Sequence, residues 1–308
     1  MREIKSAVIT GPTGAIGTAL CRLLISEGIK VYAVVRRNSS RITAIPESEM
    51  LNIVSCDLEN ISSLPDKIPS ADAFFHLAWA NTIGDGRNDM LSQTENIRAS
   101  VEAAKAAAKL GCKVFIGAGS QAEYGRVEGK LKSDTPCFPE NGYGIAKLCA
   151  GSMTRIECGK NGVDHIWVRI LSVYGPHDGP MTMISGTIRK LLSGEVPKLT
   201  PGEQKWDYLY SEDAAKALLL AARRGKCGSV YPLGSGRALP LREYIEILRD
   251  TIDPALKLGF GKIEYAPNQV MHLEADISQL YEDTGFKPET QFCDGIKKTI
   301  EWVRNEVK

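Results

Sequence analysis

The 308-residue chain predicts an α/β fold, a doubly wound parallel sheet with helices on both faces and a smaller, mainly C-terminal lobe. Three observations carry this. Short apolar runs alternate with longer amphipathic ones over the first half, a glycine-rich turn joins the first run to the first helix, and the rhythm loosens after Tyr174-Gly175-Pro176.

Ala7 to Thr10, Val31 to Val35, Leu51 to Val54, Ala73 to Leu77, Val114 to Ala118 and Ile166 to Leu171 are short, mostly apolar runs, the pattern of parallel strands buried on both faces. Between them, helical periodicity runs over Ala15 to Glu27, Met90 to Lys109 and Tyr143 to Gly159, with Gly28, Gly111 and Gly162 as stops. Beyond Tyr174, turn signals at Gly179-Pro180, Gly194, Pro197 and Pro201-Gly202 mark a second lobe. Ser211 can cap a helix from Glu212 to Arg224, whose acidic start and basic end suit the helix dipole. Val230 to Leu233 can return as a further strand, so the lobes interleave in sequence. Helices near Leu241 to Thr251, Ile277 to Thr284 and Asp294 to Val307 keep the tail folded to near Lys308.

Composition excludes several classes. A formal net charge of +1 gives no electrostatic reason to expect nucleic acid, and the basic run Arg223, Arg224, Lys226 reads as a solvated helix end. Met1 to Lys5 lead straight into Ala7, Val8 and Ile9, with neither a signal-like apolar region nor a later run of membrane length. The chain reads as cytoplasmic, without a membrane partner. Eight cysteines occur without a Cys-x-x-Cys and read as reduced core residues. His76, His165, His177 and His272 lack the spacing of a zinc helix, so no metal is expected.

Gly11-Pro12-Thr13-Gly14-Ala15-Ile16-Gly17 follows the first strand and opens the first helix. Glycines there let the backbone turn tightly and approach a pyrophosphate, which free amides and the dipole attract to the helix N-terminus. Gly11, Thr13, Gly14, Ile16 and Gly17 are therefore dinucleotide-binding candidates in a Rossmann-type domain. That domain takes residues 1–174 plus about 207–235, and a substrate-binding lobe takes about 175–206 plus 236–308. Where a site for NAD usually carries a carboxylate at the end of the second strand, Val35 stands, followed by Arg36, Arg37, Asn38, Ser39 and Ser40. Guanidiniums and hydroxyls suit a 2′-phosphate, so NADP is expected, NAD being the alternative and a merely solvated loop the plain reading. Asp57 and Leu58 can hold the adenine edge; Asp57 can equally cap a helix. Tyr143 and Lys147, at i and i+4, put a phenol and an ammonium on one helix face, where the charge favours the ionised phenol. Such a tyrosine can exchange a proton with a carbonyl or alcohol oxygen beside a nicotinamide.

The glycine spacing, His76-Leu77-Ala78, Ser120 four residues before Tyr124-Gly125, the Tyr143 and Lys147 pair, and Arg169 leading to Val173-Tyr174-Gly175-Pro176 together resemble the extended short-chain dehydrogenase/reductase family. The likeness continues through Trp206-Asp207-Tyr208-Leu209-Tyr210 with Asp213, Asp276-Ile277-Ser278, Gly285-Phe286-Lys287-Pro288 and Trp302, which are similar to members acting on nucleotide-activated sugars. The resemblance implies that Ser120 bonds the substrate oxygen, Tyr143 is the acid/base, Lys147 also grips the nicotinamide ribose, and Leu77 and Ala78 pass beside the cofactor. It also implies a small-molecule partner, a nucleotide sugar, and a homodimer built on two helices per subunit. Ile97, Val101, Ala104 and Ala108 stripe one candidate helix and Ile145, Leu148, Met153 and Ile156 the other, unless these residues only cover the sheet.

Departures from the family pattern narrow the reaction. Its dehydratases follow the catalytic hydroxyl with Asp-Glu, and its fucose-synthase-like epimerase-reductases carry a Cys at the position of Ala122; here Gln121 and Ala122 stand there. Reduction of a 4-keto-6-deoxy nucleotide sugar is what the resemblance then implies, the alternatives being a 4-epimerase with tightly held NAD, a reductase of a non-sugar ketone, or a non-catalytic NADP-binding sensor. The family's diphosphate-binding Asn is Ser172 here, and the Arg expected before Asp207 is Trp206, beside Lys205. Trp206 and Trp79 either stack on the substrate or anchor the fold. With Ser120 and Gln121, these four complete the expected substrate contacts.

Overall fold

The computed structural model describes residues 1–306. β1 (Ser6–Thr10), α1 (Ala15–Ser26), β2 (Lys30–Val35), β3 (Leu51–Ser55), β4 (Ala73–His76), α2 (Met90–Lys109), β5 (Val114–Ser120), α3 (Gly142–Lys160) and β6 (Asp164–Ile170) make up the alternating half. β7 (Ser172–Tyr174), α4 (Met183–Leu192), β8 (Lys205–Trp206), β9 (Tyr208–Tyr210), α5 (Ser211–Arg224), β10 (Val230–Leu233), β11 (Leu239–Pro240), α6 (Leu241–Ile252), α7 (Ser278–Thr284) and α8 (Phe292–Glu306) follow. Seven strands pair in parallel in the order β10-β6-β5-β4-β1-β2-β3. The order reverses between β1 and β4, and the crevice outside their carboxyl ends is where such sheets take ligands.

Alternate strand residues face opposite sides, and both sides of β1 are filled. Ala7 and Ile9 pack with Leu20 and Leu24 of α1 and Ala214 and Leu218 of α5. Val8 packs with Phe74 of β4, Phe115 of β5, and Ala103 and Ala107 of α2. Fully burying one such large side chain stabilises by about 1.5–3 kcal/mol, so the sheet is a rigid floor for whatever its carboxyl ends carry. A second core joins Ile188 and Leu191 of α4, Ile245 and Leu248 of α6, and Ile296, Ile300 and Val303 of α8. Asp207, fully buried, ties the two parts together by accepting from Ser235 N at 2.6 Å, Gly236 N at 3.1 Å and Ala275 N at 3.0 Å.

Four expectations change. β3 lies at the sheet edge with Asn52 and Ile53 exposed; as consecutive residues they point to opposite faces, so both faces are partly uncovered at this edge. Ser211 is the first residue of α5 and makes no capping bond, since the helix begins directly where β9 ends. α4, which the turn-rich composition hid, is a full helix. Cys21, Cys56, Cys112 and Cys158 are buried, whereas Cys227 and Cys293 are exposed. The expected end of the last helix at Val307 and the order of Lys308 lie outside the described residues. Among the described residues no helix is long and apolar enough to cross a membrane, and no group of three metal-ligating side chains gathers.

Candidate active site

The end of β1 is pinned to the end of β4. Thr10 Oγ1 accepts from Leu77 N and Ala78 N, each at 3.2 Å, and bonds His76 Nδ1 at 3.0 Å. Ser100 Oγ gives its proton to the Asn96 carbonyl, so His76 Nε2 donates to Ser100 and Nδ1 is left to accept from Thr10. Burial, and after it the Lys147 charge, push this imidazole down to about 3, so it stays neutral. His76 is a brace for the strand ends, not an acid.

Gly11 follows with φ +72°, and a Cβ there would stand 2.9 Å from Ala78 N. A Cβ on Gly17 would run into the Gly11 carbonyl oxygen, so helix and turn approach as only glycines allow. At Gly14 a Cβ would meet nothing closer than 3.9 Å, because this glycine borders open space. That space is a cleft of about 470 Å³ lined by Gly11, Thr13, Gly14, Arg36, Ser39, Arg41, Asp57, Leu58, Leu77, Ala78 and Trp79 among others. Its lining, with the glycine turn at the start of α1 and the guanidiniums that follow β2, suits a dinucleotide. Ile16 and Gly17 stand outside the lining: Ile16 packs on the core and Gly17 works through the turn. Asp57 makes no capping bond; it accepts from Arg37 N at 3.2 Å and pairs with that guanidinium at 3.6 Å, which holds the loop after β2. Arg41, one residue beyond the stretch Arg36 to Ser40, lines the same cleft and donates to the His177 carbonyl after β7.

Ser120 ends β5. Its Oγ accepts from Ala122 N at 3.2 Å, while Glu123 reaches back to accept from Ser120 N at 2.7 Å, a reciprocal cap on one turn. Tyr143 opens α3, which Asn141 caps through Gly144 N at 2.8 Å. Gly144 must be glycine, since a Cβ would enter the Ala122 carbonyl, and this close approach brings Tyr143 to Ser120. Lys147, one turn on and buried, donates from Nζ to the Ala118 carbonyl at 2.7 Å and lies 3.7 Å from the Trp79 ring centroid. Burial lowers its pKa to about 7, opposed by the Glu123 charge. For Tyr143, burial pushes the phenol up, the Ser120 hydroxyl and the Arg87 charge pull it down, and the Glu123 charge pushes it up. Lys147 Nζ thus rests on Trp79 and Ala118, 5.7 Å from the Tyr143 ring centroid, and the Arg87 guanidinium carbon stands nearer to that ring, at 4.4 Å.

Trp79 meets Tyr143 edge to face with centroids 6.0 Å apart and donates to Gln93 Oε1 at 2.9 Å, so it walls the junction of cleft and trio. Trp206 Nε1 donates to Ser172 Oγ at 2.7 Å and its ring joins the lobe's apolar clusters. Lys205 is exposed on β8, and Gln121 is half-buried beside Ser120. Arg87, Arg41 and the burial of Glu123 escaped the sequence, for none sits in a spaced motif that marks it.

Residues 7–234 match the model of the NAD dependent epimerase/dehydratase family. A dTDP-glucose 4,6-dehydratase of Streptomyces niveus is 24% identical over 97% of this chain and 92% of its own length. A dTDP-4-dehydro-6-deoxyglucose reductase of Escherichia coli is 25% identical over 97% of this chain and 98% of its own. Among solved structures, a UDP-N-acetylglucosamine 4-epimerase from Methanobrevibacter ruminantium M1, in complex with UDP-N-acetylmuramic acid, superposes with a TM-score of 0.89 at 25% identity, covering 99% of this chain and 100% of that one. Dehydratase, reductase and epimerase share one frame, so the frame alone does not choose between them.

Proposed function

The chain belongs to the NAD dependent epimerase/dehydratase family, and from that premise we propose that it reduces a 4-keto-6-deoxy nucleotide sugar to the 4-hydroxy sugar with NADPH. The observation that carries this is the fate of the carboxylate that follows Ser120. Dehydration needs a free acid and base beside the catalytic hydroxyl, yet Gln121 and Ala122 are not ionisable and Glu123 is fully buried. Its oxygens already accept from Ser120 N, from Trp167 Nε1 at 3.0 and 3.2 Å, and from Arg169 Nε at 2.7 Å. The three residues after Ser120 thus offer no free carboxylate to eliminate water, whereas proton delivery to a carbonyl needs only a phenol and a hydroxyl.

In this reading bound NADPH supplies the hydride taken up by the sugar's C4. Ser120 holds the carbonyl oxygen, Tyr143 protonates it, and Lys147 grips the nicotinamide ribose. Residues 1–174 with about 207–235 hold the cofactor; Ser172, near the end of the first stretch, faces the nucleotide together with Lys205 and Trp206 of the remaining lobe, with Trp79 and Gln121 bordering the sugar. The likeness to a 4-epimerase favours one second reading, 4-epimerisation with retained NAD. Loss of NADPH absorbance with freshly made CDP-, dTDP-, UDP- or GDP-4-keto-6-deoxy sugars tests the proposal. Epimerisation of an ordinary nucleotide hexose without added cofactor, and no NADPH loss, would replace it; turnover of nucleotide-free ketones alone would remove both.

NADP preference is assigned to Arg36, which lines the cleft with Ser39 and Arg41 where an adenosine 2′-phosphate would lie. A charge-assisted hydrogen bond is worth about 1.5–3 kcal/mol, so Arg36→Ala should weaken NADPH roughly ten- to a hundred-fold and leave NADH nearly unchanged. An equal loss for both cofactors would mean that Arg36 only supports the loop. We also assign a homodimer, through α2 and α3. On α3, Ile145, Met153 and Ile156 are exposed, an apolar stripe that a second copy would cover; on α2, Ala104 is spent on the core and the free part of the stripe is Ile97 and Val101. Sedimentation at micromolar concentration should give the mass of two chains and, for Met153→Asp, of one. A monomeric parent protein would end this assignment.

A further inference from the structure

Tyr143 lies between two cations, and the nearer is not the lysine of its own helix. The Arg87 guanidinium carbon stands over the Tyr143 ring, 4.4 Å from its centroid, whereas Lys147 Nζ is 5.7 Å from it. Arg87 belongs to the 3-10 segment Gly84–Asn88 ahead of α2, and that segment is braced on both sides. Gly142 N of α3 donates to Asn88 Oδ1 at 3.0 Å, a Cβ on Gly142 would press on the Arg87 carbonyl oxygen at 3.0 Å, and Gln93 Nε2 of α2 donates to the Gly86 carbonyl at 2.9 Å. The guanidinium is thus presented from a fixed backbone. Nη1 donates to the Thr82 carbonyl at 3.3 Å, and the nearby Asp89 carboxylate is turned to α2, where it accepts from Ser92 N at 3.2 Å.

We propose that Arg87 is a positioning residue of the reaction centre that acts through Tyr143, its charge stabilising the phenolate formed when Tyr143 gives its proton to the substrate oxygen. This rests on Tyr143 being the proton donor. In that step the phenol O–H bond breaks, the proton bonds to the former carbonyl oxygen as its carbon accepts hydride, and the electron pair stays on the Tyr143 oxygen until solvent returns a proton. The groups facing the phenol are Ser120 from the end of β5, Glu123 from the turn after it, Arg87 from the segment before α2, and Lys147 on α3 itself, with neutral His76 of β4 behind Lys147. Burial and the Glu123 charge oppose ionisation of the phenol; Ser120 and Arg87 favour it. A lysine lowered to about 7 carries little charge above neutrality, whereas a guanidinium keeps its charge throughout. A cation over an aromatic face is attracted even to the neutral ring, and the phenolate adds a full opposite charge.

The test titrates the phenolate absorbance of the full chain, without and with saturating NADP. Subtracting the same variant carrying Tyr143→Phe isolates one phenol among ten tyrosines. An opposite charge within about 4–6 Å lowers a pKa by about 1–3, so Arg87→Met and Arg87→Gln should each raise the midpoint by about one pH unit or more, a tenfold loss in the ionisation constant. Arg87→Lys should recover most of it. With a 4-keto-6-deoxy nucleotide sugar, the Met and Gln variants should lose roughly tenfold in kcat with KM unchanged. A midpoint unmoved in both overturns the proposal, and an unmoved midpoint with a tenfold higher KM makes Arg87 a substrate anchor instead. Because the titration needs no substrate, it stands or falls apart from the identity of the sugar.

Discussion

Tyr143→Phe is expected to lower turnover by about 10²–10⁴-fold, the range of a lost general acid, while the affinities for cofactor and nucleotide sugar change little. The substitution removes one oxygen from a ring that is already held by its surroundings: Trp79 against its edge, Arg87 over its face, and a glycine-paved start to α3 beneath it. Volume and packing are kept, so a large loss in kcat at unchanged KM reads out proton delivery and nothing else. Ser120 would still hold the carbonyl oxygen, which is why some activity should survive. A loss below about tenfold would assign the proton to another donor, and water ordered by Ser120 would be the first to examine. A large rise in KM would instead make the phenol a binding group.

Much of this site was legible because its parts obey spacing rules. Gly11, Gly14 and Gly17 stand where a strand must turn into a helix; close backbone approach excludes a side chain at Gly11 and Gly17, while Gly14 borders the open cleft. Tyr143 and Lys147 share a helix face by periodicity alone, whereas Ser120, at the end of β5, was marked only by the family resemblance. The six early strands were readable from their mostly apolar character, except that the exposure of Asn52 and Ile53 on β3 could not be foreseen, since a strand's place at the sheet edge is a tertiary property. α4 carries Ile184, Ile188 and Leu191 at helical spacing, yet Gly179-Pro180 and Gly194-Pro197 around it read as a loop. Arg87 was hidden for a different reason. Its partner is 56 residues on in the chain, and no local pattern announces a cation that reaches another element through a 3-10 segment. Trp206 kept both of its readings in the sequence; its bond to Ser172 and its place in the lobe's core show an anchor, which leaves a stacking role to be tested separately.

The second large effect is expected at Glu123, where stability and catalysis meet. Glu123→Gln should destabilise the protein by about 3–5 kcal/mol, the cost of leaving one member of a buried ion pair without its partner. Arg169, 7% exposed at its side chain, faces a Glu123 side chain with no exposure at all, and Arg169 Nη1 already lacks a hydrogen-bond partner. Burial alone would lower the Arg169 pKa; the Glu123 charge, with Tyr124 beside it, raises it instead, so the guanidinium cannot escape by losing its proton. In the variant, one oxygen can still accept from Ser120 N and Trp167 Nε1. The amide nitrogen must then replace Oε2 and point its N–H groups at Arg169 Nε, donor against donor. A shift of the denaturant midpoint at constant slope would measure the loss, and adding Arg169→Met should recover part of it by removing the stranded charge. Catalysis should register the same change through Lys147, because the Glu123 charge is what raises that amine against its burial. Without it the ammonium titrates further below about 7, so the ionised form is lost as pH rises through a lower range, and any step that needs Lys147 charged should fail at a lower pH than in the parent protein. A loss under about 1 kcal/mol, or an unmoved pH profile in a variant that folds, would show Glu123 to be spent on the turn after β5 alone.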